Sequence, residues 1–363
     1  MSARYPVMIV DRKKVLDNAR KINDICSKKD IEVWGVTKGL AGDPSLAEIY
    51  RDAGFAGLSD SRLTNLRKIK DSANDMPRQL IRIAMHSETA DIPAVADISL
   101  QSEASTILKL DEICDSLGIP HRVLLMVDVG DLREGFWPEE LTHLGGALSM
   151  LKRVSIIGVA ANFACASGLL PSREKFEDLV IYRDELQDVL GIDLPCISVG
   201  GTCCLKLIEA GDIPEKINQL RICEGILLGK DTAFMRDIPY LDGTAIVISA
   251  EVVECRKKPS VPAGEVGRQA FGEKPLFIDR GKRERALLGI GRQDVNMDRI
   301  TPLMKGVHII TASSDHLIVD VTDANSLLPQ DKRIKAGDVL DFRPLYPAML
   351  AAATSEYVRV EFE

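Results

Sequence analysis

Lys38 closes an apolar run, Val33-Trp34-Gly35-Val36-Thr37-Lys38, that reads as a strand and gives way to a turn opening a helix. An amine at such a strand end, once desolvated, can attack a carbonyl carbon. Much further along, Val199-Gly200-Gly201-Thr202-Cys203 makes a second strand-to-turn junction before a short helical run, Leu205 to Ala210. Free backbone N–H groups at a helix start favour an anion, and glycine lets a phosphate approach closely. Arg221 lies in a third strand-like run, Leu220 to Leu228, together with Glu224. Pyridoxal phosphate needs these three contacts: an amine for its aldehyde, a seat for its phosphate and a partner for its pyridine nitrogen. An arginine at that nitrogen donates a hydrogen bond and leaves the ring unprotonated. Such a ring is a weaker electron sink, suited to reversible proton transfer more than to transamination.

Each residue also has a plainer reading. Lys38 would be a solvated strand tip, Gly200-Gly201-Thr202 an ordinary turn, and Arg221 half of an ion pair with Glu224 or Asp212. The cofactor reading gains weight from position. Polar residues recur at other strand ends: Ser59-Asp60-Ser61-Arg62, His86-Ser87-Glu88, Asp128 to Arg133, and Asn162. In a (β/α)8 barrel the C-terminal strand ends build the active site, and the loops after strands seven and eight commonly seat phosphate.

The elements that would position these groups alternate along the first part of the chain. Strand candidates are Val33 to Lys38, Ala56 to Ser59, Leu80 to Met85, Ala96 to Leu100, Arg122 to Val129, Val154 to Ala160, Cys196 to Val199 and Leu220 to Leu228. Helical stripes separate most of them, among them Val15-Ala19-Ile22-Cys26 and Phe176-Leu179-Val180-Leu186-Val189-Leu190. Eight strands in about 220 residues fit a (β/α)8 TIM barrel better than an open doubly wound sheet. The GxGxxG dinucleotide fingerprint is absent after every strand; Gly289-Ile290-Gly291 fails because Asp294 stands at the third glycine position. After Asp237 the helices thin out. Ala245 to Cys255, Leu276 to Asp279, Arg285 to Ile290, His308 to Ala312, His316 to Val321 and Tyr357 to Phe362 read as strands, and Ala348 to Ala353 as a short helix. The expected division is a barrel at 1–236 and a C-terminal, mostly β domain at 237–363, with 1–10 as a segment that could join the β domain.

Composition narrows the classes. At 363 residues the chain exceeds what one core usually supports, and 45% apolar content is that of a globular protein. A net charge of −8 argues against a nucleic-acid surface; the densest basic run, Gly281 to Arg285, is interrupted by Glu284 and reads as a solvated loop. No apolar run is long enough to span a bilayer, and the N-terminus does not read as a signal peptide, so neither nucleic acid nor membrane is an expected partner. Eight cysteines form no C-x-x-C pair, which suits a reducing cytoplasm, and no His/Cys ligand pair suggests a metal.

The motifs GVTKGLAGD (35–43), LSDSRLTNL (58–66), LLMVDVGDLREG (124–135), LRICEGILLG (220–229), KPSVPAGEVGRQAFG (258–272), GIGRQDV (289–295) and SSDHLIVD (313–320) together resemble the alanine racemase superfamily. These are pyridoxal-phosphate enzymes of fold type III, and the likeness, which covers essentially the whole chain, is to the ornithine racemase branch. The resemblance implies a head-to-tail homodimer in which each barrel mouth is closed by the partner's β domain. It implies Lys38 as Schiff-base lysine and catalytic base, Arg221 at the pyridine nitrogen and Arg133 near the phenolic oxygen. Asn162 falls where alanine racemases carry a histidine beside the ring. Gly201, Thr202 and Cys203 occupy the phosphate seat, with Thr202 and Cys203 in place of an Asn-Ser pair, and Glu224 lies beside it. Tyr346 matches a tyrosine that approaches the phosphate.

Two departures stand out. Met126 replaces the modified lysine of alanine racemases, so no carbamate is expected and a longer substrate side chain gains room. Arg292 stands where they carry the tyrosine base of the opposite face. The β domain must then supply another base: His316, which exchanges protons near neutral pH, then Asp315, Ser314 or Tyr346. The expected activity is that of an isomerase, a racemase of ornithine or another basic amino acid, with Asp60, Glu88, Asp131, Glu134 and Asp294 as carboxylates for the distal cation. The alternatives are an alanine or broad-specificity racemase, an aldolase or dehydratase of β-hydroxy amino acids (suggested by Ser313-Ser314-Asp315-His316), and a non-catalytic cofactor carrier.

Overall fold

The structure, a computed structural model, describes residues 5–363. The chain forms two compact units, Arg12–Gly243 and a second one made of residues 5–11 with Thr244–Glu363. The first strand, β1 (Val7–Val10), belongs to the second unit. The next eight are β2 (Glu32–Val36), β3 (Gly57–Asp60), β4 (Arg78–Leu80), β5 (Ile98–Gln101), β6 (His121–Met126), β7 (Val154–Asn162), β8 (Cys196–Gly200) and β9 (Gln219–Ile222). They close a parallel barrel in sequence order, with β9 pairing back onto β2 from Glu32↔Gln219 to Gly35↔Ile222. The eightfold rhythm read from the sequence is therefore a closed (β/α)8 barrel, and the open doubly wound alternative falls away.

The barrel interior has two chemically distinct sectors. Trp34, Ile98, Leu100, Leu124, Met126 and Ala160 pack together across strands that are not all neighbours, which places them inside. Gly57 makes room for the indole, since a Cβ there would lie 2.6 Å from the Trp34 ring. The other sector is polar. Ser59 Oγ donates to Gln79 Oε1 (3.0 Å), Gln79 Nε2 to Gln219 Oε1 (3.4 Å), and Ser198 Oγ to the same Gln219 oxygen (2.5 Å). Arg221 donates into this chain at Ser198 Oγ.

The helices outside follow their stripes. In Arg12–Ser27, Val15, Ala19, Ile22 and Cys26 are all fully buried, as the 3.6-residue spacing demands. Arg173–Leu190 begins where Ser172 accepts a bond from Lys175 N–H (3.2 Å) and ends at left-handed Gly191 (φ 65°).

Three expected barrel strands are corrected. Leu80 to Met85 is not a strand: β4 ends at Leu80, and the chain beyond is rolled into a loop, with Glu88 Oε1 accepting from Met85 N–H (3.1 Å) and from Arg82 Nη2 (2.5 Å). Arg122 to Val129 stops at Met126, because Val127 makes only an isolated bridge to Phe136. Leu220 to Leu228 ends at Ile222, and Glu224–Leu228 is a short helix, so Glu224 is not on the strand. A short buried apolar run does not by itself tell helix from strand.

His121, the first residue of β6, is buried with Nε2 2.9 Å from Ser99 Oγ. Burial pulls its imidazole from an ordinary 6.5 down to about 4, Asp97 opposing and Arg122 reinforcing the shift. The unfolded chain therefore takes up this proton first as pH falls. Stability should be lost progressively between about pH 6.5 and 4, by about 3 kcal/mol in total. Urea titrations of the wild type and His121→Gln at pH 7 and pH 4.5 should show a smaller acid loss in the variant. Equal losses would remove His121 as the cause.

Within the first unit, β10 (Lys230–Asp231) and β11 (Arg236–Asp237) form a small hairpin. In the second unit β12 (Ile246–Pro259), β13 (Lys282–Leu288), β14 (Ile300–Pro302), β15 (His308–Ala312), β16 (Leu317–Asp320) and β17 (Val339–Pro344) join in the order β14-β17-β12-β13-β16-β15. β1 pairs antiparallel with β12 and parallel with β18 (Arg359–Phe362). Leu276 to Asp279 is not a strand; Leu276 and Ile278 project into solvent without a ladder partner. β14 and β17 were not expected, although Leu340, Phe342 and Pro344 alternate as buried with exposed Asp341 and Arg343. The expected helix is longer than its apolar run, spanning Tyr346–Thr354.

Candidate active site

Lys38 sits just past β2, in a 3₁₀ turn at Thr37–Leu40. That turn is pinned from behind. Thr37 Oγ1 donates to Asp60 Oδ2 (2.7 Å), while Asp60 Oδ1 accepts from Arg62 N–H (2.9 Å) and Asn65 Nδ2 (3.0 Å). Burial pushes the Asp60 carboxyl up, and its hydrogen bonds from Thr37, Arg62 and Asn65 pull the other way. The Lys38 side chain is half-buried, and among the described residues its Nζ has no hydrogen-bond or ion-pair partner. Behind it, burial pushes the Cys223 thiol up to about 12 against the pull of Lys38 and the Gly39 N–H, so that wall is neutral.

Opposite chemistry gathers on β7, β8 and β9. Arg221, 3% exposed, donates through Nη2 to Ala161 O (2.9 Å) and Asn162 Oδ1 (3.0 Å), and through Nη1 to Ser198 Oγ. Among the described residues three of its five N–H donors are thus used, leaving Nε–H and one Nη1–H. Burial pulls this guanidinium down to about 10, still charged at neutral pH. It pairs with neither Glu224 nor Asp212; Asp212 meets Arg173 at 3.4 Å. Gly200 makes the cradle: a Cβ there would lie 2.3 Å from Asn162 Oδ1 and 2.6 Å from Arg221 Nη2. Asn162 Nδ2 donates in turn to Glu134 Oε1 (3.0 Å), and Glu134 is ion-paired with Arg133. Arg133, Asn162 and Arg221 are thereby joined in one chain through Glu134.

The turn after β8 is shaped for an anion. Gly201 takes φ 109°, open to glycine, and Thr202–Cys204 makes a 3₁₀ turn whose first N–H groups have no acceptor within the turn. Thr202 Oγ1 accepts from Gly225 N–H (3.0 Å), which leaves its own proton available to donate. Cys203 is buried, its Sγ 3.8 Å from Phe163 O. Glu224 is spent on its own loop, accepting from Thr232 N–H (3.3 Å) and the Thr232 hydroxyl.

Two carboxylates hold the flanking loops. Asp128 accepts from Gly130, Leu132 and Arg133 N–H (2.8, 3.1 and 3.2 Å) and fixes the arm that carries Arg133. Asp131 accepts from Cys165 and Ala166 N–H (both 3.1 Å), Ser167 Oγ (3.1 Å) and Leu169 N–H (3.3 Å). These clamps hold Leu132 and Ala164 in the left-handed region, both at φ 54°, a conformation that non-glycine residues seldom keep without such support.

The carboxylates expected to meet a basic substrate all have protein partners of their own. Asp60 and Asp131 are buried and fully engaged, and Asp294, in the second unit, accepts from Gly291 N–H (3.0 Å) and Ser355 Oγ (2.9 Å). Glu88 and Glu134 are paired with Arg82 and Arg133. The remaining candidates also lie in the second unit. Asp315 and His316 occupy the exposed turn between β15 and β16, where Asp315 accepts from Gln293 Nε2 (2.9 Å) and Ser314 Oγ (2.7 Å). His316 N–H donates to Ser313 Oγ (3.1 Å), and Tyr346 starts the helix Tyr346–Thr354. Arg292 is tied to Glu273 (2.7 Å) and stacks 4.7 Å over Phe271.

The donor set fits pyridoxal phosphate: among the described residues it offers an unpartnered amine, a glycine-lined anion turn with a hydroxyl proton to give, and a buried arginine with two N–H groups to spare. Among the described residues no group of three or more His, Cys, Asp or Glu side chains is arranged to hold a metal ion. A parallel (β/α)8 barrel followed by a mostly antiparallel β unit, with such a donor set at the strand ends, is a frame that can hold a phosphate-bearing cofactor. Residues 10–222 match the family described as alanine racemase, N-terminal domain, and the chain belongs to the alanine racemase family. Over 359 residues it is 38% identical to the lysine racemase of Thermotoga maritima, covering 99% of each chain. Over 358 residues it is 36% identical to the ornithine racemase of Acetoanaerobium sticklandii, covering 98% of this chain and 99% of that one. The alanine racemase of Bartonella henselae, solved with covalently bound pyridoxal phosphate, shares the fold, with a TM-score of 0.73 at 16% identity over 99% of this chain and 100% of that one.

Proposed function

We propose that this protein is a pyridoxal-phosphate-dependent racemase of basic amino acids, of the lysine and ornithine class. The observation that carries the substrate class is the end-to-end identity, 38% and 36%, to two racemases named for diamino acids. When bound, pyridoxal phosphate supplies the conjugated ring that makes the substrate's α-proton acidic. Lys38 Nζ would anchor the cofactor and would serve as the base that takes or returns the α-proton on its own face. The Thr202 hydroxyl and the N–H groups of its turn would hold the phosphate, and Arg221 would serve the pyridine nitrogen as a donor that does not give up its proton.

The opposite face needs a second proton carrier, for which His316, Asp315, Ser314 and Tyr346 are the candidates. We assign that group to a second copy of the chain, in a head-to-tail homodimer whose β units close the barrel mouths. A cytoplasmic setting agrees with eight free cysteines. Among the described residues no helix is long and apolar enough to cross a membrane.

The test is incubation of the enzyme and cofactor with single L-amino acids in deuterated water. Lysine or ornithine should lose optical rotation as deuterium enters the α-position, well ahead of alanine. Equal turnover of alanine would overturn the basic-substrate assignment. Release of an aldehyde or keto acid would replace the racemase with an aldolase or dehydratase, and binding without turnover would leave a carrier.

A further inference from the structure

We infer that Glu134 is a positioning residue: through Asn162 it fixes the guanidinium edge that Arg221 presents to the cofactor. The inference rests on the pyridoxal-phosphate reading above. An asparagine amide can sit either way round, but here both neighbours dictate the choice. Arg221 Nη2 can only donate, so it takes Asn162 Oδ1 (3.0 Å); an ionised Glu134 can only accept, so it takes Asn162 Nδ2 (3.0 Å). The amide therefore has one polarity, and every bond in the chain runs from Arg221 toward the carboxylate. That anchors Nη2 on Asn162 and Ala161 O and leaves Nε–H and one Nη1–H as the donors turned elsewhere.

The electrostatics agree with the geometry. Glu134 is a carboxylate that acts on the buried Arg221 charge, while the neighbouring groups that also act on it, Cys204, Cys196 and Cys165, are thiols that burial keeps protonated. Arg133 grips Glu134 at both oxygens, Nε at Oε2 and Nη2 at the same Oε1 that takes Asn162, so one carboxylate holds both arginines in place.

The test compares wild type, Glu134→Gln and Glu134→Asp as holoenzymes. Glu134→Gln keeps Lys38 and should still bind the cofactor. Its kcat should fall about tenfold or more, with KM changed less than about threefold. The pH midpoint of the bound cofactor's visible absorbance band should move, and Glu134→Asp should restore part of both. If Glu134→Gln does not fold, Asn162→Ala must reproduce the kcat loss and the midpoint shift. Wild-type kcat and midpoint in Glu134→Gln, or in Asn162→Ala where that variant stands in, would overturn the inference. A wild type with no cofactor band would instead overturn the reading on which it rests.

Discussion

Replacing Lys38 by alanine is expected to lower racemase activity by about a thousandfold or more, the equivalent of about 4 kcal/mol of barrier. The reason is the double use proposed for this one amine, as cofactor anchor and as proton carrier. The fold should be indifferent. The Lys38 backbone carbonyl, not its side chain, takes part in the turn, accepting from Ala41 N–H at 3.1 Å. Urea midpoints of wild type and variant should therefore agree. Borohydride reduction of the loaded wild type followed by peptide mapping should place the cofactor on the peptide containing Lys38, with no such adduct in the variant. A Lys38→Ala enzyme that racemises at the wild-type rate would end the assignment of this site.

Arg221→Met should give the second large loss, about a hundredfold or more in kcat/KM, because a preorganised donor in a dry site cannot be replaced by water. Stability should fall as well, by about 1–3 kcal/mol. The substitution strips the donor from Ala161 O, Asn162 Oδ1 and Ser198 Oγ, all buried or partly buried around a side chain that is itself 3% exposed. Arg221→Lys should recover little activity, since an ammonium lacks the planar fork that reaches two strands at once. Near-wild-type turnover in Arg221→Met would show that this arginine does not serve the cofactor.

What the sequence showed of this site, and what it hid, follows from chain distance. Lys38 and Arg221 were readable because each belongs to a strand end, and a parallel barrel sends strand ends to one rim. The Gly200-Gly201-Thr202 turn was readable because glycine marks backbone freedom locally. The partners were not. Glu134 reaches Asn162 across 28 residues, and Asp131 clamps a loop 34 to 38 residues away. Carboxylates such as Asp60 and Asp131 look alike in sequence whether they face a substrate or cap a turn; only the partners separate the two uses. The same limit applied to Glu224, whose apolar neighbours Ile226, Leu227 and Leu228 fit a buried strand as well as the short helix they form.

The pairing of β1 with both β12 and β18 has a consequence for how the chain is made. Val7–Val10 is synthesised before the barrel, yet its ladder partners, Ile246–Ser249 and Arg359–Phe362, come after the entire barrel. The barrel is in effect an insertion between the first strand of the second unit and the rest of it. At ordinary translation rates β1 waits on the order of tens of seconds for its neighbours, long enough for the barrel to fold first. The nascent chain thus carries an unpaired apolar strand ahead of the barrel, and the sheet that finally takes it in also secures β18.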